Sequence, residues 1–81
     1  MNIYKIKFSA RCPVDKAAIE YTLRIESEAK ILVEDIRFVV GNVKRGFHED
    51  IADRLIDILG NRQVLTATHQ HVRIKTIREY K

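Results

Sequence analysis

Cys12 is the only cysteine in the chain, so it has no internal disulfide partner. It is left either to pack as a small hydrophobe or to react. Its neighbours favour reaction. Arg11 and Lys16 flank it in the polar stretch Arg11-Cys12-Pro13-Val14-Asp15-Lys16, and nearby cations favour the nucleophilic thiolate. A second group is Gly46-Phe47-His48-Glu49-Asp50. A carboxylate such as Glu49 can accept two parallel hydrogen bonds from an amidine-like edge, as in guanine N1–H and its amino group. The plainer alternative is that Glu49 answers a helix dipole and His48 is a surface residue. Third, His69-x-His71 places two imidazoles two residues apart, which on a strand share one side. With Cys12 they make three candidate zinc ligands, against the alternative of two exposed turn histidines.

These residues need elements to position them. Tyr4, Ile6, Phe8 and Ala10 alternate with polar residues, as do Ile19, Tyr21, Leu23 and Ile25, so two strands are predicted to pair antiparallel. Pro13 breaks the run between them and leaves Cys12 in the connection. From Lys30 to Val40 the spacing of Leu32, Ile36 and Val39/Val40 predicts a helix, with Ser27 as its cap and Gly41-Asn42 as its end. Phe47, Ile51, Leu55 and Leu59 recur every four residues, widened by Ala52 and Ile58, and predict a second helix closed by Gly60. Its Asp50 can pair with Arg54. Gln63–Thr68 and His71–Ile77 read as two further strands around a turn near His69-Gln70. Val64, Thr66 and Thr68 share one face, as do Val72, Ile74 and Thr76. The order ββααββ over residues 1–81 predicts a single α+β domain, an antiparallel four-stranded sheet with two helices on one face.

Size and charge narrow the classes. At 81 residues and 9.5 kDa one small core is marginal alone, so self-association is expected to cover the second sheet face. The lone cysteine excludes a disulfide scaffold, no apolar run approaches a membrane span, and no signal-peptide core is present. The expected location is cytoplasmic. Residues 1–61 hold ten Lys/Arg and ten Asp/Glu, whereas Arg62, Arg73, Lys75, Arg78 and Lys81 face only Glu79, so the whole net charge of +4 lies in the last twenty residues. Such a segment attracts RNA, DNA or an anionic ligand, or guards an edge strand.

Taken in order, Phe8-Ser9-Ala10-Arg11-Cys12-Pro13-Val14, Ala18-Ile19-Glu20-Tyr21, Leu32-Val33-Glu34 and Gly46-Phe47-His48-Glu49-Asp50 resemble the motifs of 7-cyano-7-deazaguanine reductases and their QueF-like relatives, of the tunnelling-fold (T-fold) superfamily. The resemblance spans roughly residues 8–60. It implies that Cys12 attacks the nitrile carbon to give a thioimide. It implies further that Glu34 and Glu49 hydrogen-bond the base, with Phe47 and His48 helping to hold it. The chain departs from the reductases after Glu34, where it reads Asp35-Ile36-Arg37-Phe38 instead of a Ser-Lys-rich stretch linked to NADPH. Amidine formation on a tRNA-borne nitrile, as in the archaeosine-forming relatives, therefore fits better than hydride reduction, and no cofactor is expected. The second departure is the family aspartate, which lies several residues after the cysteine; here Asp15 is the only acid that close. His48 or Asp15 is expected to supply the proton. The resemblance also implies a ring-shaped homo-oligomeric barrel, a pentamer or decamer, with sites at subunit boundaries. Two alternatives remain. One is a cyclohydrolase-like T-fold protein holding zinc with Cys12 and His69/His71, although the second cysteine and adjacent histidine of that metal site are missing. The other is a non-catalytic basic module binding RNA through residues 62–81.

Overall fold

The computed structural model describes residues 1–79; Lys81, counted above in the basic segment, lies outside them. The elements are β1 (Asn2–Arg11), β2 (Ala18–Ser27), α1 (Val33–Gly41), α2 (His48–Leu59), β3 (Arg62–His69) and β4 (Val72–Glu79). All four strands form one antiparallel sheet in the order β1-β2-β3-β4. This is the expected α+β arrangement. β1 and β4 are its edges.

Strand alternation sets the two faces. Ile19, Tyr21, Leu23 and Ile25 of β2 point into the core, joined by Leu65 and Ala67 of β3 and by Ala10 of β1. Both helices cover this face, α1 through Ile36 and Val40 and α2 through Ile51, Ala52 and Leu55. Gln63 enters the same face as a buried polar residue. Its amide donates to Leu55 O at 3.1 Å and Gly60 O at 2.8 Å, which ties β3 to the C-terminal end of α2. The other face carries mostly polar and charged residues, with Ile3, Val64 and Ile77 among them, and no layer lies over it among the described residues.

Several local expectations are corrected. Ser27 does not cap α1; it ends β2, buried, with its hydroxyl 2.9 Å from Asn61 Oδ1, and Leu32 precedes the helix without a side-chain cap. Phe47 and Ile58 leave the apolar stripe of α2, at 52% and 56% exposure, because Phe47 stands before the first turn and Ile56 takes the inward position. Arg54 is not paired with Asp50 among the described residues; the acids of α2 that meet a cation are Asp53, 2.8 Å from Arg78 Nε on β4, and Glu49, 3.7 Å from Arg78 Nη2. The β3–β4 turn is Gln70-His71, one residue later than expected. Both residues have positive φ, 49° and 69°, as a two-residue hairpin turn of type I′ requires. His71 is therefore a turn residue and does not share a strand face with His69.

Candidate functional site

The β1–β2 connection is a tight loop tied by its own backbone. Cys12 N–H donates to Ala17 O at 2.9 Å, and Lys16 N–H returns to Cys12 O at 3.0 Å. Asp15 Oδ1 accepts Ala17 N–H at 3.0 Å, a side-chain turn that fixes the carboxylate beside the cysteine. Arg11 and Lys16 spend their donors on loop carbonyls, Arg11 Nη1 to Lys16 O at 2.9 Å and Lys16 Nζ to Pro13 O at 3.5 Å. Cys12 itself is 9% exposed.

A second strap brings the start of α2 alongside. Arg11 N–H donates to Lys44 O and Gly46 N–H donates to Arg11 O, at 3.0 and 3.1 Å, so residues 44–46 run beside the end of β1. Gly46 has φ 153°, and a Cβ there would sit 3.1 Å from Ile51 Cγ1. Only glycine makes this approach without displacing Ile51. The cleft that results has a volume of about 430 Å³ and is lined by Cys12, Tyr21, Phe47, His48, Glu49 and His69, among others.

The β3–β4 hairpin closes the polar end of this cleft. His69 Nε2 lies 3.1 Å from Asp15 Oδ2, and Gln70 Nε2 donates to the same oxygen at 2.8 Å. Hydrogen bonds from Ala17 and Gln70 hold the Asp15 carboxyl below its ordinary value of 3.8, so it is ionised at neutral pH. Cys12, Asp15 and His69 each present one ligating atom, and these atoms all lie within 4.8 Å of one another. That grouping can relay a thiol proton, and it can also take a divalent ion.

His48 plays a different part from the one expected. Its Nε2 is 3.2 Å from Leu65 O, which assigns the proton to that nitrogen, while Nδ1 is buried without a partner. Burial pushes its pKa below 6.5, so the ring is neutral near pH 7 and is a poor proton donor. It packs against Tyr21 with ring centroids 5.5 Å apart, and Tyr21 stacks on Phe8. Glu49 is open, with its side chain 80% exposed and Oε1 3.7 Å from Arg78 Nη2.

No family model, curated protein or solved structure matches this chain. The site is thus read from its own geometry. Of the residues expected to act, Cys12, Asp15, Phe47, His48 and Glu49 meet in or beside one cleft. Glu34 does not join them. It lies in the first turn of α1, which follows the Ile31 N–H bond to the Tyr4 hydroxyl, and Tyr4 of β1 stands eight residues before Cys12, roughly 25 Å along an extended chain. His71 also stands apart from the Cys12 cluster, whereas Asp15 lies within it. The sequence offers His69 only as a zinc ligand; its pairing with Asp15 follows from the hairpin, which leaves no local signal in the sequence.

Proposed function

We propose that the chain binds a 7-cyano-7-deazaguanine-type base in this cleft and converts its nitrile to an amidine through a thioimide on Cys12. The observation that carries the proposal is the grouping of Cys12, Asp15 and His69 within 4.8 Å, at the end of a cleft whose other rim holds Glu49 and Phe47. In the proposed sequence the thiol proton passes to the Asp15–His69 pair, and the sulfur forms a bond to the nitrile carbon. The nitrile π electrons move to nitrogen, which takes the proton back from the pair. Ammonia then adds to the thioimide carbon, the C–S bond breaks, and the amidine leaves with the thiol restored. Glu49 accepts the paired donors of the base edge and Phe47 covers the ring.

Glu34 fits this reading only as a contribution from a second copy. β1 and β4 offer unpaired edges, and α1 exposes Val33 and Phe38 at 55% and 73%. A T-fold ring joined edge to edge, with the cleft at the boundary, would bring one copy's α1 toward another's cleft. The substrate is either the free base or the base carried in tRNA.

Intact mass after incubation with 7-cyano-7-deazaguanine tests the chemistry. A gain of the whole base is expected, absent in Cys12→Ala, and in His69→Gln slowed by about 10²-fold or more. Ammonium should discharge the adduct and NADPH should not. Discharge by NADPH would make the protein a reductase, and no adduct on free base or modified tRNA would return Cys12 to a packing role. The same three side chains favour a second reading, a zinc site, because their donor types are those zinc takes. Stoichiometric zinc in purified protein, lost in His69→Gln, would select it.

A further inference from the structure

The uncovered face of the sheet is a charged trough. Its volume is about 700 Å³, and its lining includes Lys5, Lys7, Arg24, Arg62, Arg73 and Lys75 against a single carboxylate, Glu26. That carboxylate is already engaged, 2.9 Å from Arg62 Nη1 and 3.3 Å from Arg24 Nε, so it cannot offset the other four cations. Register places the four in two pairs. Lys5 and Lys7 are same-face neighbours on β1, and Arg73 and Lys75 are same-face neighbours on β4. Each pair is spaced by about 6.7 Å along its strand, and the two pairs stand three strand spacings apart, about 14 Å. Between Lys7 and Lys75 the cross-strand row runs through Thr22 and Thr66. Thr66 Oγ1 is 3.5 Å from Thr22 O, which leaves its oxygen able to accept.

We propose that this trough binds the backbone of double-stranded RNA. Two parallel cation rows, with the hydroxyls of Thr22 and Thr66 beside the apolar Val64 between them, match a ligand that alternates phosphate with 2′-hydroxyl groups and presents two backbones across a shallow groove. Among the described residues its lining has no aromatic side chain, so they offer no stacking platform of the kind that single-strand binders use. A ligand with its bases already stacked is favoured, and recognition is independent of sequence. This inference does not rest on the cysteine chemistry, since trough and cleft lie on opposite faces of the sheet.

Fluorescence anisotropy with a labelled RNA duplex of about 20 base pairs, titrated with the full chain across a KCl series, tests it. Saturable binding is expected, weakening with salt at a log–log slope of about −3 to −4 for four neutralised phosphates. The double variant Lys7→Ala/Lys75→Ala should weaken binding about tenfold or more and reduce the slope by about 2, with its circular dichroism unchanged. Lys5→Ala/Arg73→Ala provides a second, independent pair. Arg37→Ala/Arg54→Ala, which removes two exposed charges from the helices, should bind as the parent does, and so should Cys12→Ala. Equal weakening by the helix variant would reduce the effect to net charge and overturn the proposal. Tighter binding of the single strand or of the matching DNA duplex would overturn it too, and no binding at low salt would leave the cations as guards of the sheet edges.

Discussion

Glu49 presents its carboxylate to solvent at the start of α2, with Arg78 Nη2 3.7 Å away, so a bound base edge must share that carboxylate with Arg78. Glu49→Gln replaces one acceptor by a donor facing a donor and should cost about 2–4 kcal/mol of binding to a guanine-type base, measured by calorimetry. Unchanged affinity would reduce Glu49 to a helix-dipole residue. His48 gives a second prediction through its proton. Because burial lowers its pKa below 6.5, the unfolded chain binds a proton that the folded chain does not, and stability falls as pH drops from 6.5 toward the folded value. The melting temperature should decline over that window in the parent and less in His48→Phe. Asp15 acts in a separate window, since its depressed pKa gives stability that is lost only below 3.8. Cys12 and the Gly46–Asp50 run were legible in the sequence because each is a local string of reactive or helix-starting residues. The Asp15–His69 pair was not, because its Gln70 partner bond spans 55 residues and depends on how the hairpin folds back.

The element that sets the cleft's width is the short strap before α2. Gly46→Ala forces a Cβ to 3.1 Å from Ile51 Cγ1 at φ 153°, and should destabilise the fold by about 1–3 kcal/mol in urea titration. It should also slow thioimide formation, because the start of α2 would move from the end of β1. Unchanged stability and rate would show that Ile51 yields without displacing the helix. The strands and α2 were readable in advance because their apolar periods are long and clean. The start of α1 was not: Ser27 looks like a cap, but β2 extends to it so that its hydroxyl can meet Asn61, a contact between distant segments. The inward face of β3 was obscured for a similar reason. Gln63 is polar, yet it is 2% exposed, with its amide donating to carbonyls at the end of α2.

At the scale of the whole molecule, among the described residues one sheet face is layered, the other is bare, and no helix is long and apolar enough to cross a membrane. The α+β order was legible throughout; what covers the second face was not, since that depends on other molecules. Light scattering at micromolar concentration in high KCl should give a mass of five or ten chains. A stable monomer would remove the role proposed for Glu34 and leave the cleft complete within one chain. The paired cations of β1 and β4 then acquire a further consequence. A ring closed β1 to β4 would seat Lys5 and Lys7 of one copy beside Arg73 and Lys75 of the next, on the same side of the continued sheet. Each seam would concentrate like charge, so assembly should tighten as KCl rises while the duplex is released. Salt would drive the two equilibria in opposite directions. At low ionic strength a polyanion lying across the seam would serve as its counter-ion, and the complete ring would form only in its presence.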